Sequence, residues 1–128
     1  YPGAKRRELI AALASKHGVA PESIVLGCGS TEVLQVIVQA NTTRRATLIA
    51  ANPTFEDVFD YGVPETYHVV KVPLKADHAH DIERMRDLAL GSWDPVLVYI
   101  CNPNNPTGTL TASSEVDAWI EEAPFTTS

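Results

Sequence analysis

Apolar runs of strand length alternate with segments of helical periodicity along the whole chain, and this alternation restricts the fold more than any other feature. The strand-like runs are residues 24–28, 46–50, 67–73 and 96–101. The helical segments are residues 4–17, stopped by Gly18, and four that begin at Ser30, Thr54, Asp81 and Ser113 or Ser114. Continuous apolar strands fed by helices predict a mainly parallel sheet covered on both faces, so we expect a three-layer α/β/α fold with at least three parallel strands.

Composition excludes several functional classes. The 128 residues suffice for one domain, and the net charge of −6 disfavours binding to nucleic acid or to an anionic membrane surface. No apolar stretch approaches the roughly 20 residues that span a bilayer. The two cysteines, Cys28 and Cys101, end apolar runs and form no CxxC spacing, so we expect buried, unpaired thiols and a reducing, cytoplasmic compartment.

Three polar loops follow strand-like runs, at residues 27–32, 51–56 and 102–108. In parallel sheets the carboxyl ends of the strands meet at one edge, where ligands bind. We therefore expect the three loops to converge there, and this convergence is the main functional signal in the sequence.

The first loop, residues 27–32, offers glycines for close backbone approach and Ser30 and Thr31 at a helix N-terminus, where the helix dipole favours an anion. A phosphate site and a simple strand-to-helix turn capped by Ser30 both remain open. The loop matches neither the Walker pattern nor the dinucleotide fingerprint, because it lacks the Gly-Lys-Ser/Thr and the third glycine.

The other two loops differ in how strongly they indicate a ligand site. Phe55 after the second strand run suits either a core position or a ligand contact, whereas the Asn-Pro steps of residues 102–108 hold amide side chains in fixed directions. Residues 77–81, Asp-His-Ala-His-Asp, resemble a metal motif superficially, but they precede a helix. We expect a solvated loop ending in an Asp81 cap, and no metal site.

The segment NPNNPTG, residues 102–108, resembles the signature of pyridoxal-phosphate (PLP) aminotransferases of fold type I. The surrounding order is also similar, with a Tyr-Pro start, GVAPESI, a Gly-Ser-Thr-Glu turn, NPTF, HVVKVPL and VLVYICNPNNPTG. The histidinol-phosphate aminotransferase branch is the most similar, and the resemblance covers essentially the whole chain. It implies a homodimeric enzyme that moves an amino group between an amino acid, or an amino phosphate ester, and a 2-oxo acid.

The resemblance also implies cofactor contacts. Gly29, Ser30 and Thr31 match the turn that holds the cofactor phosphate, and Tyr1 matches a tyrosine given to the neighbouring subunit's phosphate. Phe55 matches the aromatic residue that stacks on the pyridine ring, where relatives often carry Tyr. Asn105 matches the asparagine that hydrogen-bonds the 3-hydroxyl of the cofactor.

The catalytic groups of the family lie outside this resemblance. Such enzymes use a Schiff-base lysine, an aspartate and a carboxylate-binding arginine. The lysines here are Lys5, Lys16, Lys71 and Lys75, and none lies in the family's serine-rich lysine context. The start at Tyr1 without Met suggests a trimmed chain. We expect residues 1–128 to form one partial large domain that is inactive alone, with the strand at residues 24–28 deprived of its neighbours. The alternatives are a PLP-dependent decarboxylase or lyase on the same scaffold, or a non-catalytic fragment.

Overall fold

The computed structural model describes residues 3–42, 45–62 and 66–122. The chain divides into two compact units, Tyr1–Val36 and Ile37–Ser128. Tyr1, Pro2, Thr43, Arg44, residues 63–65 and the C-terminal segment from Ala123 lie outside the described residues. In the described ranges, no helix is long and apolar enough to cross a membrane.

The first unit begins with helix α1, Gly3–His17. Gly18 ends this helix in the left-handed region, with φ of +66°, a conformation that glycine adopts without steric cost. The backbone N–H of Val19 then donates to the carbonyl of Ala14 at 3.1 Å, which satisfies one of the last helical acceptors. The predicted helix and its glycine stop are confirmed.

Residues 24–28 form no strand, which corrects the first strand assignment. They follow a short 3₁₀ turn, Pro21–Ser23, and Ile24 has extended backbone angles (φ −106°, ψ 119°). In the part of the chain that the structure describes, however, no strand pairs with this segment, and Val25 is 65% exposed. An apolar segment becomes a strand only when a neighbour accepts and donates its ladder hydrogen bonds, so propensity alone was insufficient.

The second unit is built on a parallel sheet of strands β1 (Ala46–Asn52), β2 (Tyr67–Pro73) and β3 (Val96–Tyr99) in the order β2-β1-β3. Ala46 is opposite Tyr67 in β2, and Thr47 is opposite Val96 in β3. The expectation of at least three parallel strands is confirmed.

Helical layers cover both faces of this sheet. On one face Leu48 and Ala50 pack with Val38, near the end of helix α2 (Ser30–Asn41), and with Val58 and Phe59. On the other face Ile49 packs with residues of helices α3 (Ile82–Leu90) and α4 (Ser113–Glu122), among them Met85 and Trp119. Because successive strand residues point to opposite faces, β1 is buried on both sides. The three-layer α/β/α prediction is confirmed.

The helix caps were predicted with mixed success. The Asp81 carboxylate accepts a hydrogen bond from the backbone N–H of Arg84 at 3.0 Å, which confirms it as the N-cap of α3. Thr54 caps nothing. The short helix that follows it is a 3₁₀ turn, Glu56–Asp60, whose N-cap residue is Phe55, and the Thr54 hydroxyl bonds to Asn104 instead.

Candidate functional site

The loop of residues 102–108 is anchored at its base by a reciprocal pair of hydrogen bonds. The Nδ2 of Asn102 donates to the Thr111 carbonyl at 2.9 Å, and the Thr111 backbone N–H donates to the Oδ1 of Asn102 at 3.0 Å. The peptide bonds before Pro103 and Pro106 are cis. The Asn102–Thr111 pair holds the two ends of the loop together at the carboxyl edge of the sheet, shortly after the end of β3.

Asn104 joins this loop to the one that follows β1. Its side chain is buried, its Oδ1 accepts from the Thr54 hydroxyl at 2.9 Å, and its Nδ2 donates to the Pro53 carbonyl at 3.1 Å. The loops after β1 and β3 therefore meet at one edge of the sheet, as parallel strands require. The turn of residues 27–31 belongs to the other compact unit, and its convergence with these loops stays a prediction.

Asn105 and Phe55, the two predicted cofactor contacts in this unit, directly follow the residues of that junction. Asn105 is exposed, and its amide makes no hydrogen bond within the described ranges. Phe55 is half-buried. One loop thus offers a free amide donor and the other an aromatic ring, the chemistry that a hydroxylated heteroaromatic ring would need.

The turn before α2 has the geometry of an anion-binding turn. Gly29 has φ of +94°, where other residues are strained, and an added Cβ there would meet nothing within 4 Å. Ser30 and Thr31 are exposed, and their hydroxyls make no hydrogen bond to any described residue. The Glu32 carboxylate accepts from the backbone N–H of Cys28, so it reaches back over the start of the helix as in a capping box.

The chemical types of these groups are those that a phosphorylated aromatic cofactor such as PLP requires. Two free hydroxyls at a helix N-terminus can bind the phosphate, Phe55 can cover a ring face, and Asn105 can donate to a ring hydroxyl. Tyr1, the predicted contact from a neighbouring subunit, lies outside the described residues. The individual roles of these residues stay predictions.

His80 corrects the expectation of a solvated loop at residues 77–81. Asp77 and His78 are exposed, but His80 is completely buried, with its Nδ1 2.8 Å from the Thr111 hydroxyl. Burial lowers the pKa of His80 from its ordinary value of 6.5, so the neutral imidazole is favoured. Since Thr111 also binds Asn102, the histidine supports the base of the 102–108 loop.

The cysteines were also predicted incorrectly in part. Cys28 is exposed and Cys101 only half-buried, and both are free thiols. Cys101 lies just beyond Tyr99 at the end of β3; burial, followed by interaction with Cys101, raises the pKa of the Tyr99 phenol, which stays neutral.

Two residues at this edge were missed by sequence reasoning. The NPNNPTG segment contains Asn104 and Asn105 as adjacent identical residues, and nothing local in the sequence separates the buried one from the exposed one. His80 was hidden in a polar segment, and the only available signal was its position just before the apolar face of α3.

Comparisons with known proteins agree with this architecture. Residues 1–123 match the family Aminotransferase class I and II. The aromatic amino acid aminotransferase of Rhodococcus jostii (strain RHA1) is 40% identical, and the histidinol-phosphate aminotransferase of Bacillus velezensis is 36% identical. Each alignment covers 97% of this chain but 34% of the relative, so the chain spans about a third of the length of these relatives.

Solved structures show the same fold. A structure from Erwinia carotovora atroseptica, provisionally assigned as a histidinol-phosphate aminotransferase, has a TM-score of 0.87 at 32% identity, over 95% of this chain and 36% of that one. The histidinol-phosphate aminotransferase of Sinorhizobium meliloti in complex with pyridoxal-5'-phosphate gives 0.79 at 26% identity, over 91% and 31%. A decarboxylase from Sulfurospirillum multivorans gives 0.76 at 26% identity, over 90% and 32%.

The parallel sheet and the loops at its carboxyl edge are thus those of a fold type I PLP-dependent enzyme, of which this chain holds a part. The chain belongs to the class I and II aminotransferase family.

Proposed function

We propose that this chain is part of the large domain of a PLP-dependent aminotransferase, which moves an amino group from an amino acid or an amino phosphate ester to a 2-oxo acid. The observation that carries the proposal is the hydrogen-bonded pair of loops after β1 and β3, in which Phe55 and Asn105 each follow a residue of the Thr54–Asn104 bond, in a chain of this family. When bound, PLP supplies an electron sink for the amino carbon. The chain's own residues bind and orient that group.

The amino donor is proposed from the relatives. The histidinol-phosphate and aromatic amino acid aminotransferases both act on a donor with a planar ring, so we propose such a donor, with histidinol phosphate first. The full-length protein should be assayed with histidinol phosphate, phenylalanine and alanine as donors and 2-oxoglutarate as acceptor. Glutamate formation with the ring-bearing donors is expected, and equal or faster turnover of alanine would contradict the donor assignment.

A decarboxylase is the second candidate, because one solved relative of the same fold is a decarboxylase. The same incubations distinguish the two. A decarboxylase releases CO2 from the amino acid without consuming 2-oxoglutarate, whereas an aminotransferase consumes the oxo acid and releases no CO2.

We propose that the 128 residues alone do not catalyse transamination. None of Lys5, Lys16, Lys71 and Lys75 matches the family's cofactor-linked lysine, and a covalent anchor for PLP is essential to that chemistry. The purified chain should be incubated with PLP, a donor and 2-oxoglutarate. Glutamate production above the rate of free PLP would contradict this proposal.

The proposed phosphate cradle is tested by replacing Ser30 and Thr31 together with alanine in the full-length protein. Hydrogen bonds to a charged phosphate are roughly twice as strong as neutral ones, so this double variant should raise the PLP dissociation constant most. Unchanged affinity in an absorbance-monitored PLP titration would mean that backbone groups alone hold the phosphate.

Alanine substitutions of Phe55 and Asn105, the two proposed contacts to the cofactor ring, should change different measured properties. Phe55→Ala should weaken PLP retention, because an aromatic contact contributes about 0.5–1.5 kcal/mol beyond burial. Asn105→Ala should shift the pH titration of the bound cofactor's visible absorbance, since a donor to the ring oxygen stabilises its charged form. An unchanged titration with the cofactor still bound would remove the role proposed for Asn105.

We also propose a homodimer in which Tyr1 serves the neighbouring subunit, and a cytoplasmic location, which the free thiols of Cys28 and Cys101 support. Sedimentation of the full-length protein tests the dimer. A monomer with full activity would exclude a site shared between subunits.

A further inference from the structure

Asn104 and Asn105 are neighbours with identical side chains and opposite environments. Asn104 is 2% exposed, whereas Asn105 is exposed and its amide is free of partners in the described ranges. Burying a carboxamide is costly unless its donors and acceptor are all bonded. The bonding of Asn104 therefore indicates what its burial achieves.

Every polar atom of the Asn104 side chain has a partner. The Oδ1 accepts from the Thr54 hydroxyl, and the two hydrogens of Nδ2 go to the Pro53 carbonyl and to the Thr107 hydroxyl, 3.0 Å away. The Pro53 carbonyl can only accept, so a rotated amide would set two acceptor oxygens against each other. The orientation of the amide is thus fixed by the loop after β1.

The main chain of Asn104 is fixed as well. Its N–H donates to the Thr109 carbonyl at 2.9 Å, and its carbonyl accepts from the N–H of Gly108 at 2.6 Å. Gly108 has φ of +68°, which allows this tight closure. Asn105 therefore projects from a turn of residues 104–109 that is closed by the backbone of the residue before it.

The Asn104 side chain provides the hydrogen-bonded link between the two loops. Among the described residues, its bonds to Thr54 and to Pro53 are the hydrogen bonds that connect residues 51–56 with residues 102–109. The Asn102–Thr111 pair closes the base of one loop and does not reach the other. Thr54 directly precedes Phe55, and Asn104 directly precedes Asn105, so the link lies one residue from each proposed cofactor contact.

We propose that Asn104 is a positioning residue. Its buried amide holds the loop of Phe55 and the loop of Asn105 in one arrangement, so that the ring face and the hydrogen-bond donor keep a fixed spacing. The inference rests on the proposed PLP function of this edge. In this proposal Asn104 acts through its two neighbours and not by contacting the cofactor, because its amide is fully used within the protein.

The test removes the hydrogen bond between Thr54 and Asn104 by a substitution of Thr54. Thr54→Val in the full-length protein keeps the shape of the side chain but removes the hydroxyl that binds Asn104. Thr42→Val is the matched control, because Thr42 is also buried and its hydroxyl makes one bond, to the Val38 carbonyl at 2.7 Å, but it precedes β1 at the opposite edge. Thr54→Ser restores the hydroxyl and should rescue the parent behaviour, and Asn104→Ala removes the whole link.

Two measurements test the effect of losing the Thr54–Asn104 hydrogen bond. In the cofactor-free protein, hydrogen exchange of peptides covering residues 104–109 should accelerate about tenfold in Thr54→Val, the change expected for one lost hydrogen bond, and not in Thr42→Val. In the PLP-bound protein, Thr54→Val and Asn104→Ala should shift the pH titration of the visible absorbance and raise the PLP dissociation constant about tenfold.

The outcomes separate this inference from the proposed function. If the parent protein binds no PLP, the proposed function fails and the inference fails with it. If the parent binds PLP but Thr54→Val matches Thr42→Val in both measurements, the inference alone is wrong. Faster exchange in Thr54→Val with an unchanged absorbance titration would show a structural link without a positioning role, and would also overturn the inference.

Discussion

Acidification below about pH 6.5 should loosen the contact between His80 and Thr111 at the base of the 102–108 loop. The Thr111 hydroxyl oxygen accepts from the backbone N–H of His80 at 3.1 Å, so its own proton is available to the Nδ1 of the imidazole, 2.8 Å away. The Nε2 of the same ring is buried without a partner in the described residues. The protonated ring would carry an N–H on both nitrogens, so it would leave the Nε2–H without an acceptor and would place an unpaired charge in the interior.

The direction and the size of this pH effect on stability follow from the difference in proton binding between the folded and the unfolded chain. Burial lowers the pKa of folded His80, so below its ordinary value of 6.5 the unfolded chain binds a proton that the folded chain does not. The stabilisation is fully present above that pH and is lost as the pH falls. One proton limits the slope to about 1.4 kcal/mol per pH unit, or a tenfold change in the opening equilibrium. Ordinary carboxyl groups are ionised above about pH 5, so their titration contributes little between about pH 5 and 6.5, and the His80 variant then isolates this histidine.

Hydrogen exchange from pH 5 to 8 measures this opening in the full-length protein. Peptides covering residues 78–84 and 102–111 should lose protection below pH 6.5, by up to tenfold per pH unit after correction for intrinsic exchange. His80→Asn keeps an acceptor near the Nδ1 position but cannot titrate, so its protection should stay flat. His78→Asn, in the exposed half of the same segment, is the matched control and should follow the parent. Equal pH dependence in the parent and His80→Asn would refute the reasoning.

Substitutions at four further positions test the local structure. Gly29→Ala, at φ of +94°, and Gly18→Ala, at +66°, should each cost about 1–2 kcal/mol of stability in thermal unfolding, but the Gly29 variant alone should also weaken PLP binding. Asp81→Ala removes the cap of α3 and should cost about 1 kcal/mol in urea unfolding, and Asp81→Asn should recover most of that loss. Ile49→Ala, in the buried centre of β1, should cost about 2–5 kcal/mol, and a cost below 1 kcal/mol would mean that the two-faced burial of this strand is misjudged.

Several features were readable from sequence because their causes are local. Strand β2 spans Tyr67–Pro73, the same residues that the alternating pattern predicted, and helix α1 ends at the glycine that was expected to end it. The Asp81 cap also depends on a backbone N–H only three residues away. Such features require the right side chain at the right spacing, which the sequence specifies directly.

The tertiary structure decided the features that need a distant partner. Residues 24–28 have strand propensity but no paired neighbour among the described residues. The Thr54 hydroxyl does not cap the turn that follows it but bonds to Asn104, fifty positions along the chain. The burial of His80 depends on Thr111, and the choice of Asn104 rather than Asn105 as the buried amide depends on Pro53 and Thr54. Sequence determined most of the elements and the loops that carry the proposed chemistry. Packing determined which polar side chains hold those loops together and which stay free for a ligand. The physical reason is that a polar group is buried only where another part of the chain provides its hydrogen-bond partner.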